Sequence, residues 1–347
     1  MKSSILKIGF FLSLLFAVLF YSVWSIPSFD GITAAIGSLT NSSFSKDYSM
    51  AVWEWRSPDD FDNTGMIELV DHISKKGVDV VFLRIDKYID IFESPYSTLR
   101  DEQLKQFENS LALFVSVAET EGIRVYGLAG HSTWSSESHR YIPQRLTTFV
   151  LEYNLRHPDN EKLAGIQFDI EPYTLAEYSP ENAGRYLESF VVTVTDLVSI
   201  VDLSGQKDYF DLGFTIPYWY DTITPEGHAV TKENVQTSVF ARISDTLAVL
   251  PSTHLAIMAY RNEASGNNGS INLVGDEFAY LAQSGYSSKI FIGQELSNIT
   301  PASITFFSSK WRKFVLELNQ IFSVYRRSTV FGGFVLNDMK TLNKLYP

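Results

Sequence analysis

Eight short apolar runs, five to eight residues each, recur along this chain and are separated mostly by helical patterns. They are Met50 to Trp55, Val78 to Ile85, Ile123 to Leu128, Ala164 to Ile170, Phe210 to Ile216, His254 to Ala259, Lys289 to Gly293 and Val330 to Leu336. Helical patterns cover Gly65 to Lys76, Asp101 to Glu121, Tyr141 to Arg156, Pro180 to Leu203, Val235 to Leu250, Leu273 to Ser284 and Pro301 to Tyr325. Runs that are continuously apolar, rather than alternating, predict strands covered on both faces. Strand and helix in alternation predict a parallel sheet. Eight such units predict a single (β/α)8 barrel over residues 48–347, since barrels of ~250 residues are routinely one domain. The rival arrangement, a doubly wound sheet, loses ground because no strand is followed by G-x-G-x-x-G or a P-loop.

The first 26 residues are of another kind. Lys2 and Lys7 precede Ile8 to Ile26, a stretch without a charge. Such a segment is expected to be a signal peptide or a membrane anchor acting through residues 8–26. Its positive flank places the rest of the chain on the far side of the membrane, secreted or anchored. Residues 27–47, rich in Ser, Thr, Asn and Gly, form a spacer. The chain has no cysteine, which excludes disulfides, thiolate metal sites and Cys nucleophiles. A net charge of −12 with no Lys/Arg run argues against nucleic acid as a partner. The six histidines show neither H-x-H nor H-E-x-x-H spacing, so no metal and no cofactor is expected, and no G-x-S-x-G elbow is present.

Barrels keep their chemistry at the C-terminal ends of the strands. The fourth run, L-A-G-I-Q-F-D-I-E-P-Y, ends there with Asp169 and Glu171. Residues i and i+2 of a strand share a face, so the two carboxyls project together. Two adjacent acids cannot both ionise cheaply, so one keeps its proton to higher pH, as a general acid must. The plainer reading is a strand that ends in solvated acids. The other strand ends offer Trp53, Glu54, Trp55, His131, Trp134, Tyr218, Trp219, Tyr260, Arg261, Glu295 and Asn337. Acids, aromatics and hydrogen-bonding groups in one rim suit a polar ligand with apolar faces, a carbohydrate. Trp53 and Trp55 flank Glu54 and must face the opposite way. Glu54 is expected near the mouth, since an unpaired carboxylate against the helices is costly.

Gly165-Ile166-Gln167-Phe168-Asp169-Ile170-Glu171 resembles the strand-four signature D-G-x-D-x-D-x-E of family 18 glycoside hydrolases, the chitinase-like barrels. Ile257-Met258-Ala259-Tyr260 resembles that family's strand-six M-x-Y, and Gly332-Gly333-Phe334-Val335-Leu336 resembles its last strand. The resemblance implies that Glu171 protonates the glycosidic oxygen, that Asp169 orients the substrate's N-acetyl group, and that Tyr260 holds the acetamido oxygen. Ala164 and Gln167 stand where the signature has acids, Arg261 where an acid follows the Tyr, and Leu336 where a Trp closes the barrel, which points to a divergent subgroup. A second reading pairs Glu171 as acid/base with Glu295 as nucleophile, as in retaining barrel glycosidases. Retention needs carboxyls ~5–5.5 Å apart, and inversion ~6.5–9.5 Å. A third makes the barrel a non-catalytic carbohydrate binder.

Overall fold

The computed structural model describes residues 48–345. The apolar segment 1–26 and the spacer 27–47 lie outside the described residues. Eight parallel strands close into a barrel in sequence order: β1 (Ser49–Glu54), β2 (Val80–Arg84), β3 (Arg124–Ala129), β4 (Gly165–Phe168), β5 (Asp211–Pro217), β6 (Thr253–Met258), β7 (Lys289–Glu295) and β8 (Phe331–Asn337). β8 pairs back onto β1, Met50 opposite Phe334. The helices are α1 (Asn63–Lys75), α2 (Lys87–Phe92), α3 (Thr98–Thr120), α4 (Tyr141–Arg156), α5 (Ala183–Leu203), α6 (Val239–Leu247), α7 (Ser270–Leu273), α8 (Gly275–Ser284), α9 (Trp311–Tyr325) and α10 (Met339–Leu345). Among the described residues, no helix is long and apolar enough to cross a membrane.

Two helical expectations are corrected. Residues 87–92, which lie outside every helical pattern of the sequence, form α2. The pattern Pro301 to Tyr325 is not one helix. Its first part packs back on the end of β7, where the Phe306 amide donates to the Glu295 carbonyl (2.8 Å) and Thr305 Oγ1 to the Ser297 carbonyl (2.6 Å). α9 therefore starts only at Trp311.

The strands alternate between two apolar environments. Met50 and Val52 of β1 belong to the large core between sheet and helices, whereas Ala51 and Trp53 join Phe82, Tyr126, Leu128, Phe291 and Val335 inside the barrel. The same parity decides Glu54. It faces the helices, not the mouth, and is 2% exposed. Its carboxylate accepts from Arg56 N (2.8 Å), Nε (2.9 Å) and Nη2 (2.6 Å), and the guanidinium lies 4.4 Å from the Phe61 ring centre. That pairing offsets the burial cost on which the mouth-facing expectation rested.

In the helix layer, Phe149 of α4 is 1% exposed and stacks on Tyr88 at 3.9 Å, with Phe107 beside it. Phe149→Ala is expected to cost about 3–5 kcal/mol, the range for emptying a packed aromatic site. Urea unfolding with an unchanged slope would show it as a pure loss of stability.

Candidate active site

β4 sends alternate residues into the barrel. Ile166, Phe168 and Ile170 pack outward in the helix-side core, leaving Gln167 and Asp169 on the inner face. The strand ends at Phe168, but the Asp169 amide still donates to the Ala129 carbonyl (2.9 Å), so the acid is held by the sheet. Gly130, just past β3, makes this approach close. A methyl group on Gly130 would collide with the Asp169 carbonyl oxygen and also lie 2.9 Å from its Cβ.

Asp169 has part of its surface at the mouth, yet its Oδ1 is sealed from solvent and has no protein partner. Burial, and then the nearby Glu171, hold its pKa well above the carboxylate range. Burial also raises Glu171, against a hydrogen bond donated by the Tyr173 hydroxyl to Oε1. Both shifts run in the direction that favours a retained proton on the pair, as expected for two acids brought together out of water.

Around the pair stands a wall of rings. Tyr173 meets Trp219 edge to face at 5.2 Å and Tyr220 at 6.2 Å. Tyr220 is buried with a hydroxyl that finds no protein partner, and burial, Tyr178 and the two acids all raise its pKa. Tyr260 lies two residues past the end of β6. Its hydroxyl is raised by burial and then by Glu295, Asp169 and Glu171, so all three acids surround one phenol. Glu295, 3% exposed, accepts from Asn337 Nδ2 (2.7 Å) and the Ser297 amide (2.5 Å). Asn337 Oδ1 in turn accepts from Trp55 Nε1 (3.1 Å).

The structure therefore brings Asp169, Glu171, Tyr260, Glu295 and Asn337 together. Arg261 caps the Tyr218 ring at 5.2 Å and donates to Asn268 Oδ1 (2.9 Å). His131 is exposed in the loop after β3, with Nδ1 accepting from the Thr133 amide (3.2 Å). Two expected sugar-facing rings lie elsewhere. Trp134 is folded into the helix-side core by the turn Ser132–Ser135. Trp53 is buried below the mouth, 2% exposed, its indole N–H donating to Gln167 Oε1 at 2.5 Å. Tyr220 and Gly130 escaped the sequence reading. Their signals were the third aromatic of the Tyr218-Trp219-Tyr220 run and a glycine directly after a strand. Among the described residues, no cluster of three or more His, Asp or Glu could hold a metal.

One stability consequence is specific to Asp169. Its pKa is higher folded than unfolded, so its contribution is complete below about pH 3.9 and lost as pH rises through the folded value. Asp169→Asn is expected to melt above wild type at neutral and alkaline pH, with the gap shrinking toward acid. Thermal melts across the pH range check this.

No family model matches the chain, and no curated protein matches it. Solved barrels do. A GH18 chitinase from Pseudoalteromonas aurantia is 12% identical, with 85% of this chain and 99% of that chain covered and a TM-score of 0.47. The exo-β-1,4-mannosidase Op5Man5 from Opitutaceae bacterium strain TAV5 is 8% identical (85% and 54% covered, TM-score 0.47), so the match spans about half of that enzyme. A D-psicose 3-epimerase from Clostridium cellulolyticum H10 is 12% identical (81% and 99% covered, TM-score 0.44). These likenesses concern the barrel, and a barrel by itself selects no chemistry.

Proposed function

We propose that this chain is a glycan-cleaving barrel of the glycoside hydrolase kind, with Glu171 as general acid and Asp169 as its charge-tuning partner. The observation that carries the reading is the half-buried carboxyl pair just past the end of β4, each acid held above its usual range, walled by Tyr173, Trp219, Tyr220 and Tyr260. A carboxyl held above its usual range can serve as a proton donor, and the partly exposed rings of Tyr173, Trp219 and Tyr260 offer faces to a sugar. The discriminating experiment incubates the protein with a panel of polysaccharides and glycans and follows new reducing ends. Binding without cleavage makes the barrel a non-catalytic carbohydrate binder. Neither binding nor cleavage overturns the reading.

Glu295 supports a second reading, a retaining mechanism with Glu295 as nucleophile. Its carboxylate is fixed by two donors and shares Tyr260 with the acid pair. A 2-deoxy-2-fluoro glycosyl fluoride should then label Glu295, detected by intact mass and peptide mapping. Cleavage restricted to N-acetylated sugars, with no label, favours the internal acetamido nucleophile held by Tyr260 and Asp169.

Residues 8–26 are proposed to export or anchor the chain, which fractionation of expressing cells tests.

A further inference from the structure

Inside the barrel, below Asp169, four polar atoms lack a protein partner: Asp169 Oδ1, Gln167 Nε2, Thr215 Oγ1 and His254 Nε2. They are not scattered. Gln167, Gly213 and His254 form one register row across β4, β5 and β6, since Gln167 pairs with Gly213 and Gly213 with His254. Thr215 pairs with Ala256 in the inward-facing row above, and Asp169 follows Gln167 by two on the same face of its segment. Gly213 is required there, because a methyl group in its place would overlap His254 Nε2.

The hydrogen-bonding senses are complementary. Trp53 Nε1 donates to Gln167 Oε1, which fixes the amide so that its NH2 is a donor toward the lumen. Asp211 Oδ1 lies 2.8 Å from His254 Nδ1 and accepts the proton carried there, so in the neutral ring Nε2 is the acceptor. Thr215 can donate or accept. Two acceptors, one donor and one hydroxyl on adjacent inward-facing rows are the kind of partners that buried water uses.

We propose that ordered water inside the barrel hydrogen-bonds Asp169 to Gln167, Thr215 and the His254–Asp211 pair, making His254 a positioning residue for Asp169. The inference deepens the reading of Asp169 as partner of the general acid and rests on it for its catalytic meaning. Water that accepts from Gln167 and donates to Asp169 Oδ1 favours the carboxylate form. The groups facing Asp169 are Glu171 and Tyr173 from its own loop, Tyr220 from the β5 loop and Tyr260 from the segment after β6. At the far end, Asp211 Oδ2 accepts from Tyr126 (3.3 Å), whose hydroxyl receives Arg124 Nη1 (3.4 Å).

The test titrates the Asp169 carboxyl by 13C NMR in wild type, Thr215→Val and His254→Phe. Loss of the water-borne hydrogen bond should raise the Asp169 midpoint by roughly 0.5–1 pH unit in each variant. An unchanged midpoint in Thr215→Val overturns the proposal even if His254→Phe fails to fold. A merely structural role would lower the melting temperature and leave the midpoint in place. A high-resolution crystal structure is a second arm. Luminal water density bonded to His254 Nε2 supports the proposal, and a direct Gln167–Asp169 hydrogen bond with no water overturns it. Neither arm needs a substrate, so failure to cleave any glycan would sink the functional reading alone.

Discussion

Glu171→Gln is expected to lower kcat on natural glycans by about 10²–10⁴-fold, the usual contribution of a positioned general acid. KM should stay within a few-fold, because the amide keeps the shape of the carboxyl and the aromatic wall is untouched. The leaving group offers an internal control. A natural sugar alkoxide needs a proton as the bond breaks, whereas an activated aryl leaving group does not. The variant should therefore retain most of the wild-type cleavage step on an aryl glycoside with an acidic phenol. The alkaline limb of the pH profile should also vanish, since it reports the acid that burial raises. A variant that cleaves unactivated glycans as fast as wild type removes Glu171 from the mechanism.

Gly130→Ala is expected to be among the most destabilising single-methyl changes in the barrel. The added carbon meets the main chain at Asp169, which cannot rotate away as a side chain could. Overpacking typically costs ~1–3 kcal/mol, and a backbone obstacle places this change at the upper end. For a domain of this size that is roughly 6–12 °C in Tm. Because the obstacle is the residue that bears the acid, the surviving folded fraction should also lose activity. Gly275→Ala is the control. Its new carbon would find only Tyr325 Oη, at 3.9 Å, so its Tm should stay near wild type. If the two variants melt together, the close β3–β4 approach is not the constraint it is taken to be.

All eight strands were legible because burial on both faces writes itself as unbroken apolar runs, and the observed strands overlap each of them. Long helices with a clear period, such as Tyr141–Arg156, were legible to the residue. What failed were segments whose pairing is set by tertiary contact. The stretch before Trp311 carries helical residue types but is recruited by the end of β7. Strand parity at β1 was undecidable from W-E-W because either side of the strand is apolar. It was resolved by Arg56, two residues on, whose role as a partner no periodicity reveals. At the site, Asp169 and Glu171 were readable as i and i+2 at a strand end. Trp134, Tyr220 and Gly130 were not, because loop conformation, and not spacing, decides which ring sinks into the core and which backbone approaches the acid.

Barrel closure has a temporal side. Trp55 and Asn337, 282 positions apart, are joined by a hydrogen bond, and β1 is flanked by the last strand as well as by the second. A ribosome or a secretion channel releases β1 first and its final neighbour last. Throughout synthesis, then, β1 carries an open edge that nothing yet made can cover. A message cut short before β8 would yield seven strands with two raw edges and a Glu295 lacking its Asn337 clasp. Such a product should be recognised by proteases and chaperones as unfinished, so that completeness of the chain and competence of the site are checked in a single event.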